Sequence, residues 1–195
     1  RAQQSALAGR PYSKLMNRVI SEVSARTGDL THPFLEPGNS DKRCVIIVST
    51  DKGLCGALNA NLFREITQFD TQNTLFITAG KKASQFIART KRQLIAEFYY
   101  KDSPQFSEAR AISRFAQNLF LEGKVQRIDI LFNNFVSTIV QKPHLVEFLP
   151  VGKIEKVSTE IPGKESKPET EQSGFEFLFE PSAELVLGAM LPHYL

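Results

Sequence analysis

Arg43-Cys44-Val45-Ile46-Ile47-Val48-Ser49-Thr50-Asp51-Lys52-Gly53-Leu54-Cys55-Gly56 opens with an uninterrupted apolar run rich in β-branched residues. A strand covered on one face alternates apolar and polar side chains, whereas a run without alternation suits a strand buried on both faces, as in a parallel sheet. The second half, with two glycines and an aspartate, predicts a turn, and a helix over residues 60–69 follows it. Further on, residues 74–78 read as a second strand, 81–89 as a helix after Gly80, and 93–100 as a third strand. Residues 108–122 read as a long helix with Ile112, Phe115, Ala116, Leu119 and Phe120 on one face. Residues 127–140 and 144–151 form a strand pair joined near Gln141-Lys142-Pro143. Alternating strands and helices predict an α/β fold: a Rossmann-like, mainly parallel sheet with helices on its faces, right-handed crossovers and an antiparallel edge.

Outside this core the pattern changes. Tyr12, Leu15, Met16, Val19, Ile20 and Val23 recur at three- and four-residue steps, which marks an amphipathic helix ending at Gly28-Asp29. Pro11 starts or kinks that helix. Residues 31–42, with two prolines and Gly38, read as irregular connection. Residues 152–173 are rich in Lys, Glu, Ser, Pro and Thr and predict a mobile surface loop. Residues 175–179 suit one more strand, and Pro181-Ser182 opens a helix carrying Leu185, Val186 and Met190. The organisation expected is therefore a terminal helix (1–28), an α/β domain (42–151), a loop (152–173) and a last strand with the start of another helix (174–195). A start without Met inside a helical pattern, and an end at Pro192-His193-Tyr194-Leu195, suggest a piece of a longer chain.

Composition narrows the function. The 195 residues carry 24 Lys+Arg and 21 Asp+Glu, but the charges are segregated. Arg1, Arg10, Lys14, Arg18 and Arg26 stand against Glu22 alone at one end, while four lysines face eight glutamates over residues 151–195. Such ends either attract each other, suit two partners, or are simply solvated. No apolar run approaches the ~20 residues of a spanning helix, so direct membrane insertion is not expected. Two cysteines do not make a secreted disulfide scaffold and point to a reduced, intracellular setting.

The strand–turn–helix at 44–69 is where a doubly wound fold would hold a dinucleotide. Gly53 and Gly56 have the last spacing of that fingerprint, but Asp51 occupies the first glycine's place, where a carboxylate would repel phosphate. Gly80-Lys81 lacks the opening glycine and the hydroxyl of a phosphate loop. Lys81, Lys82, Arg89, Lys91 and Arg92 form a basic cluster with few aromatics, better explained as a solvated helix end than as a nucleic-acid site. Cys44 and Cys55 flank a strand about 20 Å long, beyond the reach of a disulfide unless the loop folds back. His32, His144 and His193 are isolated, without metal-ligand spacing. No catalytic constellation stands out.

The turn Ser49-Thr50-Asp51-Lys52-Gly53-Leu54-Cys55-Gly56, followed by Ala57-Leu58-Asn59, resembles the signature of the gamma subunit of the F-type ATP synthase. Arg1-Ala2-Gln3-Gln4 with Ala8-Gly9-Arg10-Pro11-Tyr12, His32-Pro33-Phe34-Leu35, Asn133-Asn134-Phe135-Val136-Ser137-Thr138-Ile139, Leu149-Pro150, Phe179-Glu180-Pro181-Ser182 and Leu191-Pro192-His193-Tyr194-Leu195 resemble other parts of that family, in order. Lys52 stands where Arg is commoner, which keeps the charge but loses bidentate pairing. Thiol-switched regulation, as in the chloroplast form, is not supported, since residues 152–173 hold no cysteine.

The resemblance implies a non-catalytic rotor shaft that couples proton translocation to ATP synthesis, with terminal helices belonging to an antiparallel coiled coil, the N-terminal one running through Arg10-Pro11-Tyr12. It implies no cofactor and no metal. Its partners would be the alpha and beta subunits of the catalytic head, the epsilon subunit and the membrane ring of c subunits, on the cytoplasmic face of a bacterial inner membrane as a peripheral protein. Matched by position, the signature turn is Asp51, Lys52, Gly53, Leu54, Cys55, Gly56 and Asn59, and the ring-facing foot is His32, Phe34, Glu36, Phe177, Phe179 and Glu180, whose aromatics are expected to be exposed. Two other classes compete: a small nucleotide-dependent enzyme, which would bind a dinucleotide at residues 51–56, and a basic adaptor for nucleic acid, whose binding would be steeply salt-dependent.

Overall fold

The structure, a computed structural model, describes residues 32–100, 105–137, 140–151 and 189. Its regular elements lie within Pro33–Gly152, a compact unit. The expected terminal helix at 1–28, loop at 152–173 and strand at 175–179 lie outside the described residues, as does the expected helix after Pro181 apart from Ala189.

The apolar run becomes β1 (Arg43–Val48), the middle of a five-stranded sheet. Parallel neighbours flank it, β2 (Thr74–Ala79) on one side and β4 (Arg127–Phe135) on the other. With a strand on each edge and side chains alternating to both faces, Cys44 through Ile47 are all buried. That is the burial the unbroken run predicts. β3 (Gln93–Phe98) extends the sheet parallel to β2, and β5 (Gln141–Leu149) closes the other edge antiparallel to β4, giving the order β3-β2-β1-β4-β5.

On one face, α1 (Leu58–Ile66) and α2 (Lys81–Arg89) set Leu62, Ile66, Ala83 and Ile87 against Val45, Ile47, Phe76 and Leu131. Phe63 and Phe86 stack between the two helices with centroids 4.4 Å apart. The crossover from β3 to β4 runs across the sheet the opposite way, so the right-handed rule puts α3 (Phe106–Leu121) on the other face. α3 buries Ile112, Ala116, Leu119 and Phe120, while Phe115 at the margin meets Phe98 edge-on. α3 begins two residues earlier than its apolar periodicity suggests. The cause is a capping box in which the Glu108 carboxylate accepts the Gln105 N–H at 2.8 Å.

The hairpin corrects an expectation. Residues 141–143 do not form the link; they belong to β5, where Pro143 faces Asn133. The turn lies upstream, where the N–H groups of Val136 and Ser137 both donate to the Val140 carbonyl. Proline signals a turn in sequence, but an edge strand has one side without a ladder and tolerates it.

Candidate functional site

The turn after β1 is built by the helix that follows β2. The first three N–H groups of an α-helix have no partner within the helix. In α2 they belong to Lys81, Lys82 and Ala83, and three consecutive residues of the turn accept them. The Asp51 carboxylate takes the Lys81 N–H at 2.8 Å, the Thr50 carbonyl takes Lys82 at 3.1 Å, and Ser49 Oγ takes Ala83 at 2.9 Å. The Asp51 charge also sits at the positive end of the helix dipole, where an anion is stabilised by about 0.3–1 kcal/mol. The aspartate that breaks the dinucleotide fingerprint thus occupies the anion position of α2 itself.

Gly80 permits this close approach. Its φ is +112°, and its N–H donates to the Phe98 carbonyl at 2.9 Å. A Cβ there would lie 2.7 Å from Ser49 Oγ and 2.8 Å from the Ser49 carbonyl carbon. Asn59, in the first turn of α1, ties the loop from the other side. Its Nδ2 donates to Thr50 Oγ1 at 2.7 Å and to Cys55 Sγ at 3.1 Å. The Thr50 hydroxyl in turn donates to the Lys52 carbonyl at 2.7 Å. Of the signature residues, Asp51, Cys55 and Asn59 are therefore framework, while Lys52, Gly53 and Gly56 are exposed. Leu54, at φ +59°, is fully exposed at the tip. A large apolar side chain held there in left-handed backbone makes no use of the core.

The two cysteines differ sharply. Both are free. Burial, with the Asp129 charge adding to it, pushes the Cys44 thiol up to about 12, whereas Cys55 is partly exposed. Only the thiolate attacks a disulfide reagent. Titration of the folded protein at pH 8 with an aromatic disulfide should release about one equivalent of chromophore rapidly, from Cys55, and about two in denaturant. Two rapid equivalents in the folded state would contradict the burial of Cys44.

Of the residues expected at the ring-facing foot, His32, Phe34 and Glu36 are among the described residues. His32 is half-buried and Glu36 exposed. Phe34, expected on the surface, is only 3% exposed. Its ring lies 6.4 Å from that of Phe120, and its carbonyl accepts the Val151 N–H at 2.6 Å. It closes the core beside the end of α3, because that helix presents an aromatic there and burying Phe removes roughly 1.5–3 kcal/mol of apolar exposure. Phe177, Phe179 and Glu180 lie outside the described residues. In the basic cluster, Arg92 is structural: it donates to the carbonyls of Phe69 (2.9 Å) and Thr67 (3.3 Å) and lies over the Phe76 ring.

Sequence reading missed Asp129. It is fully buried, and its carboxylate takes charge-assisted hydrogen bonds from Arg43 and from Arg127, the latter at 2.6 Å. The signal available was an aspartate between Ile128 and Ile130 in a strand, with arginines at Arg43 and Arg127. The enclosed carboxylate is thus paired with two cations, of which Arg127 also lies 3.9 Å from Glu147. Among the described residues no three His, Cys, Asp or Glu side chains come together as a metal site, and no helix is long and apolar enough to cross a membrane.

A family model for ATP synthase matches residues 1–195. The chain is 36% identical over 197 residues to the ATP synthase gamma chain of Opitutus terrae, and 38% identical over 200 residues to that of Methylacidiphilum infernorum. In each case all of this chain is covered and 67% of the relative. Among solved structures, it aligns with a chain of the Tetrahymena thermophila mitochondrial ATP synthase central stalk and c-ring, at 18% identity and a TM-score of 0.65. That alignment covers 99% of this chain and 80% of the other, a likeness of fold. Matched to the family model along its whole length, and to gamma chains at 36% and 38% identity, this chain belongs to the gamma family of the ATP synthase.

Proposed function

We propose that this chain is part of the central rotor shaft of an F-type ATP synthase, a non-catalytic subunit that couples proton translocation through a membrane ring to ATP synthesis in the head. The observation that carries this reading is the gamma-chain kinship over every residue of the chain. The local chemistry agrees with it. In the turn where a doubly wound enzyme would bind phosphate, the Asp51 carboxylate instead caps α2, which ties the turn to its neighbouring helix. A shaft needs stiffness and a distinctive surface, and linkage between distant sites can be carried by a rigid moving element.

In this reading residues 1–28 end one shaft helix and 174–195 hold the last strand and the start of the other, with 152–173 as a loop between the α/β domain and 174–195. The partners are the alpha and beta subunits, the epsilon subunit and the c-ring, at the cytoplasmic face of a bacterial membrane. The complete gamma chain carrying these residues should co-purify with the large nucleotide-binding subunits; its absence from the complex would defeat the proposal. The foot carries a sharper test. Glu180→Lys should lower proton-driven ATP synthesis by roughly fivefold, through a lost charge pairing of about 1 kcal/mol, while hydrolysis by the detached head stays unchanged. Normal synthesis, or an unfolded subunit, would remove Glu180 from the foot.

A further inference from the structure

The outer side of α3 carries an exposed surface. Phe106, Arg110 and Arg114 follow one another at four-residue steps, which places them in one stripe along the helix. The small residues Ser107 and Ala111 lie beside them, and together the five line a shallow groove of about 330 Å³. Phe106 is 75% exposed. The Arg110 guanidinium lies 4.9 Å from its ring centroid, which holds the arginine over the aromatic face without neutralising it. Carboxylates near either end of the helix are engaged elsewhere: Glu108 in the capping box and Glu122 with Lys124 at 2.6 Å. No carboxylate among the described residues pairs with Arg110 or Arg114.

We propose that this groove docks an acidic segment of another subunit, with carboxylates on Arg110 and Arg114 and an apolar side chain against Phe106. Charge complementarity selects the occupant. Two like charges one helical turn apart repel each other, and guanidinium groups form paired hydrogen bonds with carboxylates. An exposed aromatic beside arginines is also the composition of an interface centre rather than of a solvated face. The proposal rests on the reading of this chain as one subunit of a larger assembly.

The test uses the assembled synthase with the complete gamma chain, carrying a photoreactive benzoylphenylalanine in place of Ala111. Irradiation should give an adduct with another subunit, mapped by mass spectrometry to a segment containing Asp or Glu. The double substitution Arg110→Glu with Arg114→Glu should cut the adduct yield about tenfold, equivalent to about 1.4 kcal/mol, and Arg110→Lys with Arg114→Lys should restore much of it. The thermal midpoint should move little, because both side chains are exposed. No intersubunit adduct, an adduct only to lipid or to a segment without acids, or a yield indifferent to charge reversal would each overturn the proposal. A gamma chain missing from the complex before irradiation would overturn the assembly reading as well; a chain present but without adduct overturns the docking site alone.

Discussion

Asp129→Ala should destabilise the α/β unit by about 3 kcal/mol, at the low end of the 3–5 kcal/mol seen when one partner of a buried ion pair is removed. The carboxylate is wholly enclosed, while the side chains of Arg43 and Arg127 are 29% and 40% exposed. Removing the acid therefore strands two cations that still reach some water, which is why the low end applies. The cost is structural as well as electrostatic. Arg43 opens β1 and Arg127 opens β4, and the two residues pair in register, so the carboxylate fastens the start of both central strands. Arg43 also lies over the Phe69 ring at 4.8 Å, and its loosening exposes that contact. Urea unfolding monitored by circular dichroism checks the value. Asp129→Leu combined with Arg43→Met should recover part of the loss, since it replaces one pair by apolar groups and leaves only the 40% exposed Arg127 without Asp129. A loss below about 1 kcal/mol for the single variant would mean that the cluster is not the fastening it looks like.

Gly80→Ala should cost about 3 kcal/mol, although it adds one methyl group. At φ +112° an L side chain is strained by roughly 1–3 kcal/mol. The new Cβ would also press on the Ser49 backbone as well as on its hydroxyl. Backbone that moves there loses the Ser49 N–H bond to the Ala79 carbonyl, 2.8 Å, and the Ser49 cap on Ala83. Ser49→Ala removes only the cap and should cost about 1 kcal/mol. Thermal unfolding of the two variants separates the causes. If they are equally stable, crowding at Gly80 contributes nothing beyond the cap.

Sequence reading located elements wherever one physical cause dominated. The unbroken run at 44–48 has a single economical explanation, and the structure surrounds it on both sides. The helix at 81–89 follows from its periodicity and from Gly80. Reading failed where two causes competed. Pro143 reads as a turn residue, yet it sits in an edge strand. Phe34, next to a proline in an irregular stretch, reads as exposed, yet a distant helix supplies Phe120 to cover it. Residues 49–51 were legible as a turn, but their role was not, because the groups they cap lie about thirty residues further along. Asp129 needed long-range knowledge of the same kind, since Arg43 is 86 residues away.

The strand order also dictates a timetable for synthesis. β1 leaves the ribosome before both of its neighbours and can pair first with β2, but its other edge waits for β4. At about 5–20 residues per second, the 86 residues from Arg43 to Asp129 take roughly 4–17 s to make. Throughout that interval a flat, β-branched ribbon is open along one side, the kind of edge that recruits other chains. The nascent protein is therefore most prone to aggregate while the stretch between residues 48 and 127 is being made, and slowed elongation there would lengthen the exposure in proportion.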